Sequence, residues 1–164
     1  MNSVLTPEQR EKYQNPDTIR RILATAKTVA IVGLSGNPQR PSSFVASYLK
    51  HEGYQIIPVN PNETEILGEK CYPSLLQLPE APDVVEVFRR ADQCPEIARD
   101  AVQIGAKALW LQLRVVSLEA ALIAEAAGMD VVMDRCLKIE HGRFNGSLHW
   151  VGMNTELISS RRGR

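Results

Sequence analysis

Thr28-Val29-Ala30-Ile31-Val32-Gly33-Leu34-Ser35-Gly36-Asn37-Pro38-Gln39-Arg40-Pro41-Ser42-Ser43 joins a β-branched apolar run to a loop rich in Gly, Ser, Asn and Pro. The apolar run suits a buried strand, and the glycine after it marks the turn that ends the strand. Ser42 or Ser43 is then expected to cap a helix that carries Phe44, Val45, Tyr48 and Leu49 and closes near Gly53. Strand, glycine turn and helix are the opening half of a βαβ unit.

The same order recurs outward from this stretch. Strands are predicted at 54–59, 83–88, 107–111 and 130–133, with helices over about 95–104 and 117–127. Ahead of the first strand, Asp17 or Thr18 is expected to cap a helix through Ala26 with Ile19, Ile22 and Leu23 on one face. The stretch 63–78 reads as a short excursion with one helical turn. Beyond Asp134 the pattern weakens, and 159–164 reads as a frayed basic tail. Strands alternating with helices predict an α/β fold, a Rossmann-like doubly wound sheet of about five parallel strands with helices on both faces. The expected organisation is an N-terminal extension over 1–16, one domain over 17–145 and a C-terminal segment over 146–164.

Composition narrows the function classes. A chain of 164 residues, 44% hydrophobic and 23% charged, suffices for one domain with its own core. Nineteen basic residues balance nineteen acidic ones, so no global field draws the molecule to nucleic acid or an anionic membrane. An anion site would have to be local. The N-terminus has no apolar signal region, and no run approaches the roughly 18 apolar residues of a membrane span. Cys71, Cys94 and Cys136 are odd in number and widely spaced, which fits reduced thiols. A cytoplasmic location is expected.

In doubly wound sheets ligands collect beyond the carboxyl ends of the strands. That directs attention to 33–43, 60–62, 88–90, 112–116 and 134–136. In the first loop, Gly33 permits a tight turn and close approach of a phosphate, and the following helix start presents unpaired N–H groups. Ser35, Ser42 and Ser43 add hydroxyls, and Arg40 adds a cation suited to phosphate. An ordinary strand-to-helix turn with a serine cap has the same composition. Ser35 stands where a dinucleotide fingerprint has its second glycine, and the second strand ends in Asn60-Pro61 with no acid for a ribose diol. NAD is disfavoured, NADP and coenzyme A stay open, and the absence of G-x-x-x-x-G-K-[ST] excludes a P-loop.

Phe88 and Arg89, with Arg90, are candidates for an aromatic wall and cations at the third strand, and Gln112 for a polar contact at the fourth. Trp110 reads as core. His51 belongs to a solvated helix end, and His141 and His149 to the irregular tail. No metal-ligand spacing appears. Cys136 reads as an inert buried thiol, and Asp134-Arg135 as an ion pair at the sheet edge. No nucleophile, base and orienter assemble.

The ordered series Val32-Gly33-Leu34-Ser35, Arg40-Pro41-Ser42, Pro58-Val59-Asn60-Pro61, Ile66-Leu67-Gly68-Glu69, Val87-Phe88-Arg89-Arg90, Leu109-Trp110-Leu111-Gln112 and Met133-Asp134-Arg135-Cys136 resembles the stand-alone CoA-binding domain proteins. These are small cytoplasmic proteins similar to the nucleotide-binding domain of the succinyl-CoA synthetase α subunit. The resemblance runs from about 20 to 145. It implies coenzyme A as the ligand, with Gly33, Ser35, Arg40 and Ser42 at its phosphate and ribose. It puts Asn60 and Pro61 at the nucleotide, Phe88 and Arg89 along the groove, and Gln112 nearer the pantetheine arm. The pattern departs at Arg114, where the family commonly has glycine. Ligases of the synthetase type need a phosphorylated histidine in a further domain and an ATP-grasp partner, and neither is expected here. The resemblance thus implies a module that binds CoA or an acyl-CoA without its own catalytic centre. An NADP-dependent oxidoreductase and a subunit of a two-chain acyl-CoA ligase are the alternatives, with a homodimer or a ligase chain as possible protein partners.

Overall fold

The computed structural model describes residues 4–144. In chain order its main elements are α1 (Pro7–Tyr13), α2 (Pro16–Thr25), β1 (Thr28–Val32), α3 (Pro41–His51), β2 (Gln55–Val59), β3 (Glu65–Ile66), β4 (Glu69–Lys70), β5 (Val84–Val87), α4 (Cys94–Ile104), β6 (Ala108–Leu111), α5 (Leu118–Ala126), β7 (Asp130–Val132) and α6 (Leu137–Phe144). Five apolar runs pair in parallel in the order β2-β1-β5-β6-β7. This is the predicted five-stranded, Rossmann-like α/β sheet.

Alternation along each strand divides the core. Val29 and Ile31 point to the face covered by α2, α3 and α6, whereas Ala30 and Val32 point to the face covered by α4 and α5. Because both faces are covered, the central strands are buried at nearly every position. Fully burying one Val, Leu or Ile side chain stabilises the fold by about 1.5–3 kcal/mol. Trp110 is indeed core, fully buried, with its indole N–H donating to the Arg135 carbonyl at 2.9 Å.

Prolines shift the helix starts away from the predicted caps. Pro16 and Pro41 take the first helical positions, where a missing N–H costs nothing. Asn15 therefore caps α2, its side chain accepting from the N–H groups of Asp17 and Thr18, in place of Asp17 or Thr18. Arg40 is the capping position of α3 and makes no side-chain cap bond, so neither Ser42 nor Ser43 is the cap. The helix expected from about 117 is α5, and Ser117 caps it, accepting from Ala120 N–H at 3.1 Å.

Two helices lie where no apolar period was legible. α1 is held by a reciprocal Thr6–Gln9 capping box. It buries Tyr13, whose hydroxyl reaches Glu125 and whose carbonyl accepts from Met133 N–H. α6 buries Leu137 but also Glu140 and His141, and those polar side chains interrupt the apolar pattern. His141 is thus a helix residue packed edge-on against Tyr48 and Tyr54, with Nδ1 2.8 Å from the Tyr48 hydroxyl. Burial holds its imidazole below the ordinary value. His149 and the tail lie outside the described residues. The excursion at 63–78 resolves into the β3–β4 hairpin and a 3₁₀ turn at Leu75–Gln77. No helix among the described residues is long and apolar enough to cross a membrane.

Glu86 breaks the apolar rule at the centre of the sheet. It lies between Ile31 and Trp110 in register, fully buried, and neither carboxyl oxygen meets a hydrogen-bond partner among the described residues. Burial pushes its carboxyl up to about 8. Below the ordinary Glu value both folded and unfolded chains hold the proton. Between that value and about 8 only the folded chain does, so its contribution to stability is lost as pH rises through this window. Urea unfolding from pH 5 to 8.5 is expected to show stability falling by a few kcal/mol, and Glu86→Gln to flatten that slope.

Candidate functional site

The winding of the sheet decides where a ligand can enter. From β1 the chain moves outward to β2, then returns past β1 to β5 and continues to β6 and β7. The strand order reverses between β1 and β5, and the crevice opens at their carboxyl ends. Register pairs Val32 with Val87, and Phe88 N–H donates to the Val32 carbonyl at 2.8 Å. The turn out of β1 is therefore pressed against the end of β5.

Gly33 is the residue that permits this. Its φ is +89°, and a Cβ there would stand 2.6 Å from the Phe88 carbonyl oxygen. The same Cβ position is 3.2 Å from Arg89 Nε, so the guanidinium lies beside the turn. Gly33 N–H donates to the Val59 carbonyl, which ties the turn to β2 as well. Three strand ends converge on one glycine.

The serines shape the loop from within. Ser42 is buried and its Oγ accepts from Ser35 N–H at 3.0 Å, while Ser35 Oγ accepts from Asn37 N–H at 3.0 Å. Ser43 is buried in the first turn of α3, its N–H donating to the Arg40 carbonyl. Asn60 staples the second loop to the first, its Nδ2 donating to the Leu34 carbonyl at 2.9 Å and its Oδ1 accepting from Asn62 N–H. Among the described residues the N–H groups of Gly36 and Ser42 meet no acceptor. These donors, the O–H groups of Ser35 and Ser42, which only accept in the bonds above, and the exposed Arg40 are available to an anion.

A cavity of about 490 Å³ adjoins the crevice, between the loop after β2 and the start of α4. Val32, Val59, Pro61, Leu75 and Arg89 line one part of it, and Asp92, Glu96, Ile97 and Asp100 line the α4 wall. Of the candidate residues, Gly33, Phe88 and Arg89 come together at the crevice, and Pro61 and Arg89 reach the cavity. Gln112 follows the register partner of Val87, so it stands at the same edge one strand farther on, outside the cavity lining. It is buried, and its Oε1 has no partner among the described residues.

The acidic wall was absent from the sequence reading, although 92, 96 and 100 recur at helical spacing. Burial, with the charge of Glu96, pushes the Asp100 carboxyl up. A second omission is Glu63. The sequence has no acid at the end of β2, yet three residues past Asn60 the Glu63 carboxylate comes to rest against Gly36 of the first loop. The β2 loop curls back through Glu63 N–H to the Asn60 carbonyl (3.5 Å), a path that residue order does not display.

At the far edge, Val115 N–H donates to the Gln112 carbonyl at 2.8 Å, closing a turn whose third residue is Arg114 with φ +72°. Such a turn ordinarily takes glycine there, which is the physical reason glycine is common at the position that Arg114 fills in this chain. Asp134, itself at φ +58°, holds the turn by accepting Arg114 N–H at 2.6 Å. The expected Asp134–Arg135 ion pair does not form, because Asp134 is committed to this turn and Arg135 faces Glu140 at 3.9 Å. Cys136 is only partly buried, whereas Cys71 and Cys94 are buried.

Against known proteins, the model of a family described as CoA binding domain matches residues 27–142. The chain is 40% identical over 130 residues to the uncharacterized protein YneT of Bacillus subtilis (strain 168), covering 78% of this chain and 96% of that one. It is 36% identical over 106 residues to an ADP-forming acetate–CoA ligase II of Archaeoglobus fulgidus, which covers 63% of this chain but 16% of the ligase. Among solved structures, a hypothetical protein from Pyrococcus horikoshii OT3 superposes with a TM-score of 0.78 at 36% identity, over 88% of this chain and 99% of that one.

Replacing Arg114 by glycine relieves a left-handed backbone and is expected to raise stability by about 1 kcal/mol, read as a higher urea midpoint with an unchanged slope. Gly33→Ala drives a Cβ into the Phe88 carbonyl and is expected to lower stability by about 1–3 kcal/mol in the same measurement.

Proposed function

The chain belongs to the CoA-binding domain family, and from that premise we propose that it binds coenzyme A or an acyl-CoA as a stand-alone binding or regulatory module. In this reading the diphosphate lies against the loop after β1, and the nucleotide end enters the cavity between the β2 loop and α4. The observation that carries it is the meeting of Arg89 with Gly33. A guanidinium beside a glycine turn, in a loop whose Gly36 and Ser42 N–H groups have no partner among the described residues, is a donor set suited to a phosphate. Arg40, exposed at the start of α3, adds a second cation within the same loop.

Ser35, Ser42 and Asn60 act here by holding the loop in shape, since their side chains are engaged with the main chain. Phe88 supplies the main-chain carbonyl against which the Gly33 turn packs, its ring lying with the core on the α2 and α3 face, and Pro61 supplies the apolar lip of the cavity. Gln112 is assigned to the pantetheine arm, its buried Oε1 being an acceptor without a partner among the described residues. The three unpaired cysteines suit a cytoplasmic site of action.

A second reading, a subunit of a two-chain acyl-CoA ligase, draws on the likeness to the acetate–CoA ligase. In it the domain would present CoA to a partner chain that supplies the chemistry.

Calorimetry with CoA is expected to show saturable binding of one ligand per chain. Arg89→Ala and Arg40→Ala are each expected to weaken it by about 1.5–3 kcal/mol, roughly ten- to hundredfold. No heat of binding at millimolar CoA would sink the proposal. NADPH binding that CoA does not displace would replace it with the oxidoreductase alternative.

A further inference from the structure

We propose that Glu86 is a positioning residue for the arm of CoA: its protonated carboxyl donates to Gln112 Oε1, directly or through one buried water, and so turns the Gln112 N–H2 group toward the ligand. The inference rests on the reading that Gln112 meets the pantetheine arm. It deepens that reading by naming the atom that makes the contact and the proton that controls it.

Side-chain alternation puts the two residues on one face of the sheet. Register pairs Glu86 of β5 with Trp110 of β6. Gln112 lies two residues beyond Trp110, and its N–H continues the ladder by donating to the Val87 carbonyl at 3.2 Å. Its side chain therefore leaves on the side of Trp110 and Glu86. Gln112 is the diagonal neighbour of Glu86, a separation that two long side chains span. Both are buried, Glu86 at 0% exposure and Gln112 at 9%. Glu86 Oε1, Glu86 Oε2 and Gln112 Oε1 are all closed off from solvent with no donor among the described residues. The Nε2 of the same Gln112 amide has no bond either, but it is not closed off. The amide holds its oxygen inward and its N–H2 group outward.

Three acceptors without a donor are reconciled by one proton. A buried unpaired carboxylate costs far more than a neutral acid, and a neutral carboxyl has one O–H to donate. Burial alone pushes the Glu86 carboxyl up to about 8, with no neighbouring charge contributing. Ile31 and Trp110, which flank it in register, do not titrate. On this face α2 packs Ile19, Ile22 and Leu23, and α3 brings Tyr48. Helix α6 brings His141 and Glu140, the latter between Arg135 and Arg143. Tyr54, Cys71 and Cys136 are the other titratable groups packed there.

Loss of the proton inverts the amide. A carboxylate only accepts, so it takes the N–H2 group and leaves Oε1 to face outward. The carbonyls of the pantetheine arm then meet an acceptor where they had a donor. One buried proton decides which polarity the site offers.

Infrared spectra of the full chain at pH 6.5 test the pair without ligand, with thermal melts to verify that the variants fold. Wild type is expected to show a carboxylic-acid carbonyl band that Glu86→Gln lacks and that Gln112→Ala shifts. Calorimetry with CoA from pH 6.5 to 9 tests the arm. Wild-type affinity, taken relative to Glu86→Gln at each pH, is expected to fall about tenfold as pH rises through about 8. Glu86→Gln keeps a neutral donor to Gln112, so its profile reports only the titration of the ligand. The proposal is overturned if the acid band is missing, if Gln112→Ala leaves it unmoved, or if wild type and Glu86→Gln share one pH profile. Wild type that shows the band but binds no CoA at millimolar concentration overturns the CoA reading, and the positioning role with it.

Discussion

The close packing of the turn after β1 against the end of β5 is the constraint on which the crevice depends. Gly33 sits where a single methyl group would collide with the Phe88 carbonyl, while its own N–H is bound to Val59 of β2. Both neighbours of β1 thus grip one residue at the point where the strand order reverses. From that point α3 leaves to one face and α4 to the other, so their first turns flank a shared opening. The guanidinium of Arg89 reaches the turn because its residue follows Phe88 directly.

Polar side chains around this opening divide into those spent on the scaffold and those left over. Ser35, Ser42 and Asn60 are spent: each holds a main-chain group of the first or second loop. What is left over is main-chain N–H, the serine O–H groups, two arginines and the carboxylate of Glu63, with Asp92 just before α4 and Glu96 and Asp100 on it lining the cavity beyond. With net charge zero, the field at this opening is set by the local order of these charges rather than by any global field.

Elsewhere the fold carries groups that oppose its own stability. Glu86 places a carboxyl in the middle of the sheet, and Arg114 and Asp134 hold left-handed backbones at the ends of β6 and β7. The bond between Arg114 N–H and the Asp134 carboxylate offsets part of the second cost. Only the turn at Arg114 was foreshadowed by the sequence, as a departure from glycine; the buried glutamate looked like one more polar residue in an apolar run.

The five strands were legible in the sequence as short, nearly continuous apolar runs, and the helices α2 to α5 as the longer stretches between them. Leu109-Trp110-Leu111 and Thr28-Val29-Ala30-Ile31-Val32 had one sensible reading. Cap positions were misjudged where Pro16 and Pro41 advanced the helix starts. α1 and α6 were missed because a single tyrosine anchors one and buried Glu140 and His141 disguise the other. The sequence by itself determined the layered α/β architecture and pointed to Gly33, Phe88 and Arg89 as neighbours of the ligand edge, since strand ends and glycine turns are local properties. Only the tertiary structure decided that Gly33 must be glycine, that the serines and Asn60 are engaged with the main chain, and that Glu63 returns to Gly36. Those are contacts between segments 25 or more residues apart or bonds set by loop shape, and residue order carries no record of such distances.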